Sequence, residues 1–590
     1  MTVPAQSPLV AAAPLPAPDL SLVSTGLIAE FEAAGVLQWA DVHVAHRLAQ
    51  LAGEGRPDVV LAAALAVWAA RAGSVCVEID AVAGELFETG EERIDTTSLP
   101  WPAVDPWLAA LTESPLVGCE PDGPRRPLRL AGTRLYLDRY WREEELVREA
   151  LQRRIARPAP MVDAAILDRS LAALFSGDTA SGQRDACRTA AGSWVSVIAG
   201  GPGTGKTTTI GRLLLTFHEL GLRRIALAAP TGKAAVRLGE AVRAQFVLHG
   251  AGELADRVEA VTLHRLLGLR PGGAPSSGSA DVLPHDVIVV DEMSMVSLPL
   301  MARLLAAVRP DTRLVLVGDP DQLASVEAGA VLADLTESPS ASRLGVVRLT
   351  QNFRFGSDIA RVADAIRSGE ADAVVAALRA GSAATVLVET GFQTVPEDLR
   401  ERVVEVGALI HESALAGDVS GALAALEGHR VLCGHRTGPY GVAAWNRHVH
   451  QWLSDAAPGY AAEGEWYPGR PVLVTENSAE LGLFNGDSGV VVATSGGPRV
   501  AFPGGRIVPV HLLDAVATAH AMTVHKAQGS QFAAVSLILP PPGSPLLTRQ
   551  LLYTAVTRAK TRITLYGQAE AVVDAVQRPA RRASGLRTRL

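Results

Sequence analysis

Ten residues, "GGPGTGKTTT" from 200 to 209, constrain this chain more tightly than any others. They follow the apolar run "VSVIAG" and lead into the helical pattern "TTTIGRLLLTFHELG", so a glycine-rich loop joins a strand to a helix. Gly200, Gly205, Lys206 and Thr207 fall in the register G-x-x-x-x-G-K-[ST]. There, backbone N–H groups wrap phosphates at a helix N-terminus, the lysine meets the β- and γ-phosphates, and the hydroxyl takes a place on Mg²⁺. Gly201, Pro202, Gly203, Thr204 and Thr208 complete the candidate cradle. Further apolar runs, "RIALAAP", "DVIVVDE", "RLVLVGD" and "GVVRLT", alternate with helical stretches. That alternation predicts an α/β fold: a parallel sheet with helices on both faces.

Around this core the texture changes. Residues 25 to 175 are rich in Ala and Leu with helical periodicity, as in "DVHVAHRLAQLAG" and "WREEELVREALQRRIA", and predict a helical N-terminal domain. Before it, residues 1 to 24 are rich in Pro and Ala, lack a basic n-region and read as a disordered leader. The Gly/Ser/Pro-rich segment at 270 to 284 reads as a surface loop. A second set of strand runs starts near "HRVLCGHR" and returns with "AAVSLILP" and "TRITLYG", enclosing a turn-rich, β-branched stretch that predicts a small all-β insertion at 456 to 515. The last residues, 573 to 590, carry five arginines after Asp574 and no further acid, and read as a solvated, disordered end rather than a nucleic-acid contact.

A formal net charge of −8 argues against coating nucleic acid by bulk electrostatics, so a polymer partner must be gripped locally. Cys76, Cys119, Cys187 and Cys433 are scattered without ligand spacing and read as buried, reduced thiols. The apolar run at 59 to 70 falls short of the roughly 20 residues that span a bilayer. A soluble, cytoplasmic chain with no membrane contact is expected.

A magnesium site needs a carboxylate at a strand end, and "DVIVVDEMSM" supplies Asp291 for the metal and Glu292 to activate water. Gln322 in "GDPDQLASV" follows a strand and is placed to sense a γ-phosphate; Arg354 in "LTQNFRF" and Arg558 in "LLYTAVTRAK" are candidates to stabilise transition-state charge. Hydrolysis of a nucleotide follows, and on these residues alone a switch, a transporter or a kinase fits equally.

Taken in order, "LAAPTGKAAVRL", "TLHRLLG", "VIVVDEMSM", "GDPDQLASV", "LTQNFRF", "AMTVHKAQGSQF" and "LLYTAVTRAK" resemble the motif series of superfamily 1 DNA helicases. The resemblance is closest to the RecD branch, whose members translocate 5′ to 3′, and covers about residues 180 to 570. It implies two RecA-like P-loop motor domains, 176 to 345 and then 346 to 455 with 516 to 572, and an SH3-like β-barrel for the insertion. It implies ATP and Mg²⁺ as cofactors, Gln183 as the adenine-reading glutamine, and Gln528 and Gly529 near the nucleotide. Gln531 stands where the family often has Glu, which removes charge assistance from a ribose hydrogen bond. Pro230, Thr231, Thr262 and His264, with Thr523, His525 and Lys526, match positions that touch single-stranded DNA. "AMTVHKAQGSQF" thereby joins both sets and is expected to convert phosphate chemistry into a DNA step. The turn Phe484, Asn485, Gly486 and Asp487 reads either as DNA-facing or as a plain β-turn.

The segments "AARAGSVCVEID" and "RLYLDRYWREEELV" resemble the N-terminal, partner-binding domain of the RecD subunits of exodeoxyribonuclease V, the RecBCD complex. That implies RecB-like and RecC-like partners in a heterotrimer that acts on duplex DNA ends, with nuclease chemistry in the RecB partner. A stand-alone RecD-like helicase and a regulatory subunit with a degenerate ATPase remain the alternatives.

Overall fold

The computed structural model describes residues 26–85, 87–89, 92–120, 123–175, 181–255, 258–269, 282–353, 357–391, 395–461, 464–478 and 480–590. The leader at 1 to 24, most of the loop at 270 to 284, and Arg354 lie outside the described residues. The chain divides into two units. The first holds the described residues up to Pro230, Ala234–Phe353 and Arg581–Leu590; the second holds Thr231–Lys233 and the remainder up to Ala580.

In the first unit, the nucleotide loop rises from a six-stranded sheet in the order Val346–Leu349, Val195–Gly200, Arg313–Gly318, Val287–Val290, Ile225–Ala229, Ala260–Thr262. Every pairing in it is parallel. The inner strands Val287–Val290 and Arg313–Gly318 are buried at every position, as strands covered on both faces must be. Val346–Leu349 pairs with the strand that feeds the loop, so this sheet extends beyond the expected boundary at 345.

The N-terminal region departs from the all-helical expectation. Helices Leu27–Ala33, Trp39–Ala52 and Pro57–Arg71 are present, and the last is buried on nearly all sides. They pack with a four-stranded sheet in the order Cys76–Glu78, Arg134–Leu137, Leu128–Ala131, Val117–Gly118. Strands of two to four residues are too short to show a period of two beside long Ala/Leu helices. The helix Asp138–Ala156 then packs against Leu298–Ala307. Tyr136, Trp141, Val147 and Leu151 share one core with Val195, Val197, Ile288 and Leu316 of the six-stranded sheet. Arg154 Nη2 seals that contact by donating to Val308 O at 3.0 Å.

The expected disordered basic end is also corrected. Residues up to Gln577 complete the helix Ala569–Gln577, and Arg581–Leu590 belong to the first unit. Val75 N donates to Ala583 O at 2.8 Å, Gly585 N donates to Glu144 at 3.1 Å, and Arg589 pairs with Glu144 at 3.0 Å. Leu586 is 1% exposed within the shared core. The buried carboxylate of Glu144, on the helix Asp138–Ala156, therefore decides where Arg589 goes.

The second unit is built on a parallel sheet in the order Thr385–Glu389, Ala559–Gly567, Phe532–Ile538, His429–Cys433, Ala521–Thr523. The insertion is a five-stranded antiparallel sheet: Arg506–Pro509, Arg499–Phe502, Ser488–Val492, Pro471–Val474, Val516–Thr518. Its last strand lies past the expected end at 515. Cys76, Cys187 and Cys433 are buried, whereas Cys119 is exposed, contrary to the reading of all four as core thiols. Among the described residues no helix is long and apolar enough to cross a membrane.

Candidate nucleotide and nucleic-acid sites

The loop at 200 to 205 turns through left-handed backbone at Gly203 and Gly205, with φ of 84° and 81°, and the helix Lys206–Glu219 starts directly after it. The φ of 81° at Gly205 is one that a residue with a Cβ adopts only under strain, and the Gln183 amide packs close against it. Gln183 is buried on the helix Ser181–Ala191 and donates to Thr204 O at 3.3 Å. Lys206 Nζ donates to Gly200 O at 2.6 Å and Gly201 O at 3.0 Å, and Thr204 Oγ1 donates to Gly201 O at 2.8 Å. Thr207 and Thr208 occupy the first helical turn. Two residues not singled out from the sequence also hold the loop: Phe353 N donates to Gly203 O at 2.8 Å and Asn352 Nδ2 to Pro202 O at 3.3 Å. Their signal was present in "LTQNFRF", where only the arginine drew notice.

Asp291 and Glu292 follow the strand Val287–Val290, as expected. Asp291 is buried; burial first, then the Glu292 charge, push its carboxyl up to about 7, while Lys206 pulls it down. Glu292 sits in left-handed backbone, φ 52° and ψ 42°, which a residue with a Cβ adopts only when its surroundings enforce it. Gln322 is buried and donates to Asp319 Oδ2 at 2.8 Å, at the end of the strand Arg313–Gly318. The sheet thus presents Asp291, Glu292, Asp319 and Gln322 from the C-terminal ends of neighbouring strands, where open parallel sheets bind ligands.

Of the candidate DNA contacts in this unit, Pro230 ends the segment after Ile225–Ala229. Thr262 caps the helix Leu263–Leu266, its hydroxyl accepting from Arg265 N at 3.1 Å. His264 lines a cavity of about 280 Å³ with Arg139, Tyr140, Arg303 and Glu327.

In the second unit, Thr523 is buried at the end of Ala521–Thr523, and its hydroxyl accepts from Lys526 N at 3.2 Å. His525, Lys526, Gln528, Gly529 and Gln531 lie on the turns that follow, closed by Gln528 N to His525 O at 3.2 Å and Ser530 N to Ala527 O at 2.9 Å. Burial, then the Arg436 charge, lower the Lys526 pKa. Arg558 is 3% exposed and donates to Thr554 O at 3.0 Å and Ser530 O at 3.2 Å. In the insertion, Phe484 N donates to Asp487 Oδ2 and Asp487 N to Phe484 O, both at 2.9 Å, so the Asp487 carboxylate closes its own turn.

Three family models match this chain: the AAA domain at residues 178–386, the N-terminal domain of RecBCD enzyme subunit RecD at 33–136, and the UvrD-like helicase C-terminal domain at 518–566. The RecBCD enzyme subunit RecD of Mycolicibacterium smegmatis is 49% identical over 571 residues, 94% of this chain and 98% of that protein. The chain belongs to the RecD family. The RecD subunit of Haemophilus influenzae is 30% identical over 89% of this chain and 92% of its own length. The ATP-dependent RecD2 DNA helicase of Deinococcus radiodurans is 35% identical, but over 66% of this chain and 50% of that protein. This RecD-family chain is a nucleotide-binding, ATP-dependent DNA helicase subunit of the RecBCD type.

Proposed function

We propose that the chain is the 5′ to 3′ motor of a RecBCD-type assembly, in which RecB-like and RecC-like subunits complete the machine at duplex DNA ends. The observation that carries this reading is the gathering on one sheet of the glycine loop with Lys206 and of Asp291, Glu292 and Gln322 at neighbouring strand ends. One hydroxyl and one carboxylate, Thr207 and Asp291, suit Mg²⁺, which keeps waters and substrate phosphates in its remaining places. Burial disfavours the Asp291 charge, and a divalent cation there would offset that cost. When bound, the metal neutralises developing charge on the transferred phosphate.

The chain's own groups do the rest. Gln183 recognises the adenine beside the loop, Lys206 turns from its loop carbonyls to the phosphates, and Glu292 orients the attacking water. Gln322 senses the γ-phosphate; Arg354 and Arg558 stabilise its transition-state charge, and Gln528, Gly529 and Gln531 border the nucleotide. Pro230, Thr231, Thr262, His264, Thr523, His525 and Lys526 grip the single strand, and the antiparallel insertion is read as an SH3-like barrel beside it.

Strand separation by the full chain with ATP and Mg²⁺, on duplexes bearing a 5′ or a 3′ single-stranded tail, tests the proposal beside Lys206→Ala. Unwinding from the 5′ tail alone, abolished in the variant, is expected. Unwinding from the 3′ tail alone would overturn the polarity.

A further inference from the structure

Lys233, two positions past Thr231, donates from Nζ to the Ser530 hydroxyl at 2.7 Å and to Gly486 O at 3.4 Å, all within the second unit. Ser530 is 3% exposed and closes the turns after Thr523. Its carbonyl accepts from Arg558 Nη1 at 3.2 Å, and Nε and Nη2 of that guanidinium donate to Thr554 O and Thr557 Oγ1. The segment carrying Lys233 is itself fixed in place. A side chain at Gly232 would collide with the Phe484 ring, which packs directly against that backbone. One residue, Ser530, thus touches the lysine through its hydroxyl and the arginine through its carbonyl.

We propose that Lys233 and Ser530 are positioning residues that transmit occupancy of the strand-binding segment to Arg558. The inference rests on the reading above, in which Thr231 meets the strand and Arg558 meets the nucleotide's charge. A phosphate oxygen competes with the Ser530 hydroxyl for the ammonium, because hydrogen bonds between two charged groups are the stronger ones. A backbone phosphate arriving beside Thr231 draws Lys233 off Ser530. The turn at 524 to 531, which contains left-handed Gly529 with φ 70°, then relaxes and moves the carbonyl that holds Arg558. DNA binding is thereby converted into a change in arginine placement.

The test is ATP hydrolysis by the full-length chain, with and without a deoxythymidine oligonucleotide titrated to saturation. Ser530→Ala and Lys233→Met are expected to keep the DNA-free rate within about twofold and to lose about fivefold or more of the stimulated kcat. The double variant should be no worse than either single, and Lys233→Arg, which keeps a cationic donor, should recover most of the stimulation. Lys233→Met keeps the inference open to test if Ser530→Ala fails to fold, and a melting curve of each variant separates misfolding from lost coupling. Full stimulation in both single variants would overturn the relay alone. So would stimulation restored by excess oligonucleotide, which makes Lys233 a simple phosphate contact. Unchanged hydrolysis in Arg558→Ala, or no stimulation in the unmodified chain, would overturn the relay together with the reading beneath it.

Discussion

Glu292 condenses the tension between stability and function in one residue. Its φ of 52° places a Cβ in backbone that glycine adopts freely, a strain of roughly 1–3 kcal/mol. Such strain persists where the surroundings enforce it, and the role proposed for Glu292, orienting water at the end of Val287–Val290, gives it a use. Glu292→Gly is therefore expected to be no less stable than the unmodified chain by urea unfolding, while phosphate release falls by about a hundredfold or more. A destabilised Gly variant would show that the conformation is not strained. Thr262 carries the opposite lesson. Its place in "TLHRLLG" implies a DNA contact, yet its hydroxyl already caps Leu263–Leu266, so a loss on Thr262→Ala mixes helix stability with DNA affinity.

Among elements, the C-terminal segment offers the sharpest contrast. Arg589 faces Glu144, whose side chain is 1% exposed, whereas Arg587 and Glu337 are each about half exposed. Removing one member of a buried pair strands its partner, so Arg589→Ala should cost about 3 kcal/mol in denaturant unfolding. Arg587→Ala should cost less than about 1 kcal/mol. Equal costs would mean the segment is held by its apolar Leu586 alone. Asp334 lies against the same segment. Burial, with Glu144 and Glu337, raises its carboxyl to about 7 despite the Ser584 hydrogen bond and Arg587. The folded chain then keeps a proton that the unfolded chain releases near pH 4, so this group's contribution to stability falls as pH rises from about 4 to about 7 and is constant above that. Asp334→Asn, which has no proton to lose, should raise the melting temperature more at about pH 8 than at about pH 4.5. A pH-independent difference would show that Asp334 is ionised in the fold throughout.

For the whole molecule, the net charge of −8 sets how it can hold a polyanion. Binding must come from a few local cations and from contacts to bases and sugars, not from a broad positive field. Single-strand affinity, measured by fluorescence titration of a labelled oligonucleotide, should then fall with log salt at a slope of roughly −2 to −4, about 0.7 per phosphate contact. A much steeper slope would reveal a basic surface that the chain's charge does not suggest. Much of the architecture was legible in advance at this scale. The runs "VSVIAG", "DVIVVDE" and "RLVLVGD" became adjacent parallel strands because unbroken β-branched segments flanked by helices have few other stable arrangements. The phosphate loop was legible for a similar reason: its glycines, lysine and threonine are contiguous, so one backbone conformation positions them all.

The sequence by itself determined the parallel-sheet core, the all-β character of the insertion and the residues of the loop, since each is encoded by period, turn chemistry or contiguous spacing. Only the tertiary structure decided the N-terminal sheet, whose strands are too short to carry a period. It also decided the fate of the arginine-rich end. A cationic segment is solvated or docked according to whether a buried carboxylate awaits it, and Glu144, the partner of Arg589, lies hundreds of positions away in the chain. The link from Lys233 through Ser530 to Arg558 was hidden for the same reason: it joins three motifs through a hydroxyl and a carbonyl, groups whose partners no local pattern specifies.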